Sequence, residues 1–243
     1  MSRRARLAVF LVAAAGFVVC WVLALSGAPP VGGDVHPSRD SATAAAVARA
    51  TANAVSVVNY DLRGMDTFGE ETILLASVIA ATALLRPAGD EREHTPDAEP
   101  WVLPTTRLLG LLVLPITVLL GLDVIAHGHL TPGGGFQGGV VLASGVHLLY
   151  LAGSYGALQR VRPQAWAPPV EAAAGVALVA VGLVGLVDGA GFLANVLPTG
   201  TLGAFASSGT VVVVNAVIGV AVGSGLVVLL AQFLRQDLVV EDR

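Results

Sequence analysis

Few side chains in this sequence could do chemistry, and several of them sit in one apolar stretch, "DVIAHGHLTPGGGFQGGVVLASGVHLLYL", residues 123–151. Asp123 and His127 are four positions apart and share one face of a helix. A carboxylate one turn from an imidazole can relay a proton, because histidine exchanges its proton near neutral pH. The same pair can equally sit at a helix end and reach water with no further role. His127 and His129 as metal ligands would need a third donor, and none is close in sequence, so no metal and no cofactor is expected. His147 has Gly139, Ala143 and Ser154 at i−8, i−4 and i+7, a stripe of small residues that lets another helix approach. It should face protein, either hydrogen-bonded to a neighbouring carbonyl or taking part in ion passage. A second cluster, "VVNYDLRGMDTFGEETILL" at 57–75, holds Asp61, Arg63, Asp66, Glu70 and Glu71. Asp66 and Glu70 lie one turn apart where carboxylates favour a helix N-terminus. Five charges are more than capping requires.

The solvent decides what these groups can do. Of 243 residues, 55% are hydrophobic and 12% charged, and mean hydropathy is +0.78. Such a composition does not fit a water-facing surface and predicts a membrane protein. Apolar runs at about 7–25, 69–85, 103–126, 137–157, 170–190 and 209–234 are each near the length that crosses a hydrocarbon core of about 30 Å. The expected fold is therefore all-α, a polytopic membrane protein with about six transmembrane helices. All 13 basic residues are arginine. With a cytoplasmic N-terminus, Arg3, Arg4, Arg6, Arg86, Arg92, Arg107, Arg160, Arg162, Arg235 and Arg243 lie inside, and Arg39, Arg49 and Arg63 outside. That asymmetry obeys the positive-inside rule and puts both termini in the cytoplasm, with 127–136 on the external side.

The first apolar core, about 19 residues, exceeds the 7–15 of a cleaved signal and is expected to stay as a helix. Cys20 within it has no partner for a disulfide and reads as a small buried hydrophobe. Residues 28–39 form an external loop rich in proline and glycine. From Ser41 to Tyr60 the chain suits a helix lying in the interface. Residues 87–100, "PAGDEREHTPDAEP", hold five acids against one arginine and mark a solvated linker, which divides two spans from four. No internal repeat pairs the two parts, so the inverted-repeat signature of a self-contained secondary transporter is missing.

Between the third and fourth spans the apolar run breaks. Gly133, Gly135 and Gly138 satisfy G-x-G-x-x-G, but a helix precedes them and the next acid is Glu171, so dinucleotide binding is not expected. A Walker phosphate loop is excluded by the lack of lysine. Pro132 stops the third helix, while the glycines let bare backbone turn and approach its neighbours. Irregular backbone at membrane depth must be covered by protein or line a water-filled cavity. Asp188 closes the fifth span beside Gly182, Gly185 and Gly189, and Asn215, Gly219 and Gly223 share one face of the sixth; both stripes read as helix packing surfaces. Pro115 is expected to kink the third helix.

The segment from His127 through Gly128 to Ala143, "HGHLTPGGGFQGGVVLA", resembles the signature of the B subunit of Mrp-type (Mnh) multisubunit sodium/proton antiporters. There a Gly-His, a Pro-Gly-Gly-Gly-Phe and a Gly-Gly follow in that order. The likeness covers about residues 101–236. The cluster at 57–75 looks like the end of the large A subunit of the same antiporters and like the small E subunit of membrane-bound hydrogenases. Asp61, Arg63, Gly64, Asp66, Thr67, Gly69 and Glu70 match that pattern. Leu62 and Met65 stand where phenylalanine is common, and Glu71 stands where an apolar residue is usual. The chain thus resembles a fusion: a two-helix module at 1–88, an acidic cytoplasmic linker at 89–100, a four-helix B-type domain at 101–236 and a cytoplasmic tail at 237–243.

The resemblance implies a non-catalytic subunit of a multisubunit antiporter in a bacterial inner membrane. It would work with other membrane subunits, a monovalent cation and protons, in contact with the lipid bilayer and with no nucleic acid. By matching, Asp66, Glu70, His129, Pro132, Gly133, Gly134, Gly135, Phe136, Gly138 and Gly139 carry over as motif residues. Asp123, His127 and His147 rest on the argument from the residues. The alternatives are an accessory subunit of a complex-I-like or hydrogenase assembly, a purely structural scaffold, and a stand-alone channel or enzyme.

Overall fold

The computed structural model describes residues 3–28, 32, 36–85, 92–93, 102–153, 155–161, 163–234 and 238–239. Ser154, most of the linker expected at 89–100 and most of the tail expected at 237–243 lie outside the described residues. Residues 1–40 and 41–243 form two compact units. The first consists mainly of α1 (Arg3–Ser26), a 24-residue apolar helix none of whose residues is buried. Cys20 on it is exposed, not the buried hydrophobe expected from the sequence.

Four further helices are long and apolar enough to cross a bilayer: α4 (Gly64–Leu84), α5 (Pro104–Ala126), α8 (Pro163–Val187) and α9 (Thr210–Leu234). The remaining expected span is shorter. Helix α6 (Gly135–Leu151) has 17 residues, the low end of what spans a bilayer. The run expected at 137–157 is broken at Gly153, which takes φ +66°, and α7 (Tyr155–Val161) follows as a separate helix. Pro115 stays within α5.

Helix α9 is the centre of the second unit. In its apolar stretch 67% of residues are buried, against 17% in α4 and in α5. It packs on α6, α8, α4 and α5, while α5 and α6 pack on each other. One core cluster joins Tyr60, Leu178, Leu193, Val211, Val214, Ile218 and Val222 with Phe68 and Phe136 around them. A second joins Val78, Ala143, Ala167, Val227 and Val228. The outward faces keep large apolar side chains exposed, among them Leu108, Leu112 and Leu119 on α5, Ile73 and Ile79 on α4, and Leu183 and Leu186 on α8. A bilayer accepts such a surface and water does not.

The interface stretch expected as one helix at 41–60 is divided. Helix α2 (Pro37–Ala48) ends at a turn in which Ala50 adopts φ +50° and Thr51 N–H donates to the Ala46 carbonyl at 2.9 Å. A one-turn helix, α3 (Ala54–Val57), then runs into a π-helical turn at Val58–Leu62. Asn53 caps α3 by accepting from Val55 N–H at 3.0 Å. Thr67 donates to the Asn59 carbonyl at 2.7 Å, satisfying a group that the wide turn leaves free. Arg92–Glu93 (β1) and Leu238–Val239 (β2) pair as two antiparallel residues each.

Candidate functional site: a hydrogen-bonded junction and a carboxylate cleft

The break between α5 and α6 is held from below by one side chain. Asn215 on α9 has no exposed surface. Its amide nitrogen donates to the Ile125 carbonyl, the last turn of α5, and its amide oxygen accepts from Gly135 N–H, the first residue of α6, both at 2.5 Å. Helix ends leave backbone groups without intrahelical partners, and Asn215 supplies one to each helix at once. The backbone between them needs glycine, since Gly133 and Gly134 have φ of +131° and +149°. A Cβ on Gly134 would also meet Asn215 Oδ1 at 3.1 Å and Tyr60 Oη at 3.4 Å. Burial, with the Glu71 and Glu70 charges adding to it, pushes the Tyr60 phenol up to about 12, so the hydroxyl stays protonated beside the start of α6.

From the other side, the segment at Asn53–Ser56 closes over the turn. Asn53 Nδ2 donates to the carbonyls of Gly128 and Thr131 at 2.7 and 2.9 Å, Asn53 N–H donates to the His129 carbonyl at 3.0 Å, and Ser56 Oγ donates to Gly128 at 2.5 Å. Below this loop His129 is fully buried. Its Nε2 lies 3.0 Å from the Phe205 carbonyl, and its Nδ1 has no partner. The Phe205 ring stands edge-on to both His127 and His129. Burial lowers the readiness of His129 to take a proton, with the neighbouring His127 acting in the same direction. A neutral ring donating from Nε2 to the Phe205 carbonyl follows.

The residues expected to do chemistry separate on this frame. Asp123 and His127 do pair, at 2.9 Å, but at the open end of α5, where their side chains are 64% and 39% exposed. Asp66 is exposed and pairs with Arg63; Glu70, a turn further on, is exposed as well. Two acids of that cluster are shielded, Glu71 and Asp61, and Asp61 is the one with partners. Its side chain is 7% exposed, it pairs with Arg49 at 3.0 Å, and it accepts from Asn195 at 3.3 Å. Asn195 in turn accepts from Thr210 N–H at 2.8 Å, fixing the start of α9. His147 lies on α6 more than three turns from the break, half-buried, with Nε2 unpartnered and the Leu226 backbone of α9 as its polar neighbour. Ala143, one turn back on the same face, is buried.

The small residues divide too. A Cβ on Gly138 would meet the Gly121 carbonyl at 2.7 Å and Ile125 N at 3.0 Å; on Gly139 it would meet the Gly219 carbonyl at 2.8 Å. Gly219 receives the Ile125 side chain, and Gly223 lies against Gly139. These are helix contacts. Gly182 and Gly185 instead receive Phe192 and the backbone of Gly191 and Ala194, the loop after α8. Gly189 meets nothing within 4 Å and turns the chain at φ +75°, so it does not pack helices.

Two acids that the spacing argument did not develop stand out. Glu71 on α4 and Glu171 on α8 are 7% and 8% exposed, and both line a cleft of about 530 Å³ between α4, α8 and α9. Oε1 of each is buried without a hydrogen-bond partner. The signal was available: each is an ionisable residue inside or at the edge of an apolar run, which is a reason to suspect function. Asn53, Asn195 and Phe205 carried no such mark, because their roles depend on loops meeting across the chain. Among the described residues no group of three or more histidine, cysteine, aspartate or glutamate side chains could hold a metal ion.

A family model described as a domain related to the MnhB subunit of Na+/H+ antiporters matches residues 105–228, just over half of the 243. An uncharacterized protein of Methanocaldococcus jannaschii is 31% identical over 114 residues, covering 41% of this chain and 44% of that protein. A probable K+/H+ antiporter A/B subunit of Rhizobium meliloti is 29% identical over 140 residues, covering 47% of this chain and 14% of that one. The chain thus spans less than half the length of the curated relatives it matches. Among solved structures, a chain of the membrane-bound sulfane sulfur reductase, an archaeal respiratory membrane complex, superposes with a TM-score of 0.71 at 29% identity, over 96% of this chain and 99% of that one. A chain of the Mrp complex from Dietzia sp. shares the fold, with a TM-score of 0.65 at 24% identity over 96% of this chain and 26% of that one.

Proposed function

Because the chain belongs to the family of domains related to the MnhB subunit of Na+/H+ antiporters, we propose that it is a non-catalytic membrane subunit of a multisubunit monovalent cation/proton antiporter, serving both the ion path and assembly. In this reading it sits in a bacterial cell membrane with both termini cytoplasmic, and other membrane subunits cover part of its apolar surface. The observation that supports it best is the α5–α6 break. Irregular backbone at membrane depth persists only where protein or a water-filled cavity covers it, and here Asn215, Asn53 and Ser56 satisfy it while the surrounding helix faces remain apolar and bare. A bundle with one rigid polar end and greasy flanks is built to be wedged among other helices.

Vesicles carrying the whole complex test the reading. Replacing His147 or Glu70 by alanine should lower sodium-driven proton exchange while the complex still assembles; full activity in both variants removes these two residues from the path. If the chain only holds its partners together, those variants transport normally and charged replacements on its exposed apolar faces, such as Leu112→Glu or Leu119→Glu, release the partner subunits. A second reading, an accessory subunit of a redox-driven respiratory assembly, draws on the near end-to-end match to a chain of the sulfane sulfur reductase. Purification of the native complex separates the two: large antiporter-like partners support the first, and metal-cluster subunits support the second.

A further inference from the structure

Glu71 and Glu171 come from helices on either side of one cleft. Glu71 lies two turns into α4, and Glu171 more than two turns into α8. Phe68, Leu74, Leu75, Ile79 and Leu178 make up much of the wall, and among the described residues no basic side chain lines it. Each residue is more than nine-tenths buried, and each has a buried carboxyl oxygen with no hydrogen-bond partner. The Glu171 charge is close enough to act on Glu71. On the α9 side a Cβ on Gly225 would stand 3.1 Å from Glu171 Oε1, so backbone there approaches the carboxyl closely. The other titratable groups within electrostatic reach of Glu71 are Glu70 on its own helix and the Tyr60 phenol, which is protonated; α9 contributes none of the charged residues lining the cleft.

Charge balance then says what the site lacks. Two carboxylates lining one apolar space have, among the described residues that line it, no cation to offset them, and ionised groups held away from water are retained only when they are paired. What neutralises them is a proton or a small monovalent cation from the aqueous phase. We propose that Glu71 and Glu171 form one carboxylate site, reached through the cleft between α4, α8 and α9, at which a monovalent cation and a proton displace each other. The exchange is balanced: the entering cation takes carboxylate oxygens, the displaced proton leaves to water, and the charge of the site is unchanged. The hydrogen-bonded junction at the α5–α6 break has no part in it. The site belongs to this chain's own helices, so its test reads out separately from whether the assembled complex works as an antiporter.

The test is modification by dicyclohexylcarbodiimide, an apolar reagent that attacks protonated carboxyls, in membranes holding the native complex, with the modified peptides identified by mass spectrometry. Modification at Glu71 or Glu171 is expected, and sodium chloride should slow it where choline chloride at the same ionic strength does not. At a sodium concentration about ten times the apparent Kd the slowing should reach roughly tenfold, by mass action. In Glu71→Gln the remaining Glu171 should still react but lose its protection by sodium, and Glu171→Gln should do the same to Glu71. Asp188→Asn, at an exposed acid just past the end of α8 and outside the cleft, should leave protection intact. Failure of both carboxyls to react in the unaltered complex, or reaction that sodium does not slow, overturns the proposal without recourse to any variant. Protection that survives in both single glutamine variants overturns the pairing.

Discussion

The junction at the α5–α6 break and the cleft between α4, α8 and α9 handle buried polar groups in opposite ways. At the junction nearly every polar atom has a partner supplied by a distant part of the chain: Asn215 for Ile125 and Gly135, Asn53 for Gly128 and Thr131, Asn195 for Asp61 and Thr210. Glu71 and Glu171 line a cleft with apolar walls, and each keeps one buried oxygen without a hydrogen-bond partner. A fully satisfied polar network rigidifies a fold, whereas an unsatisfied one marks strain or a place for something else. The junction is therefore the part of the molecule that holds shape, and the cleft is the part left for a ligand.

Packing gives the largest expected contrast. At Gly138 a methyl group would press on the backbone of Gly121 and Ile125, neither of which can rotate away. Gly138→Ala should cost about 3 kcal/mol, the upper end for overpacking, read as a lowered unfolding temperature of the purified chain in detergent. Gly175, in the cleft wall, would place its methyl 3.6 Å from Leu75 Cδ2, an ordinary contact. Gly175→Ala should be neutral or mildly stabilising, since alanine is the better helix former by about 1 kcal/mol. Equal losses from the two substitutions would erase the distinction between a tight junction and a slack cleft.

Hydrogen bonding comes next. Asn215→Ala strands the Gly135 N–H away from water and leaves the Ile125 carbonyl only its 3.3 Å bond from Gly128 N–H, so a loss of about 1–3 kcal/mol, the cost of one stranded group, is expected in the same unfolding assay. Glu171→Gln exchanges one unpartnered polar head for another of the same shape and should shift stability far less. If Glu171→Gln proves as damaging as Asn215→Ala, then Glu171 has a structural partner and the cleft belongs with the junction.

What the sequence revealed of these two regions follows from the range of the forces involved. Span lengths and helix type were legible because the bilayer imposes one length and one secondary structure on any crossing segment. The glycine break was legible because proline and glycine act on their own local backbone. Helix α6 came out short because Gly153 ends it, a residue that in an apolar context looks like any other small packing position. The interface helix came out in two pieces because Asn53 is used to cap α3 and to hold Gly128 and Thr131, contacts made 75 and 78 residues away in sequence. Neighbour spacing pairs Asp123 with His127 correctly, yet it does not reveal that both lie at an exposed end. It also does not bring Glu71 to the same cleft as Glu171, a hundred positions on.

The junction should also carry a pH dependence. Burial depresses the proton affinity of His129 in the folded chain below the ordinary value of 6.5. In the unfolded chain the ring protonates as pH falls through that value, while the folded chain resists. The contribution of His129 to stability is therefore fully present above pH 6.5 and is lost as pH drops below it toward the lower folded value. His129→Gln, whose amide can still donate to the Phe205 carbonyl, should flatten this part of the stability curve measured between pH 7.5 and 5, a window set about the ordinary histidine pKa of about 6.5. An unchanged slope would mean that water reaches the ring, and that the junction is less closed than its hydrogen bonds indicate.

The smallest effect is expected at the Asp123–His127 pair, which shares the junction's helix but not its burial. With side chains 64% and 39% exposed, the pair gains little from its contact in water, and exposed ion pairs contribute about 0.2–1 kcal/mol. Asp123→Asn in the isolated chain should change stability by no more than about 0.5 kcal/mol, and raised salt should mask even that. The same substitution measured in the assembled complex sharpens the point. A small effect there as well would leave the pair on an aqueous face, where it can only pass protons to and from solvent. A loss several times larger in the complex than in the isolated chain would mean that a partner subunit covers this end of α5 and converts an exposed pair into a buried one, extending the closed junction outward past His127.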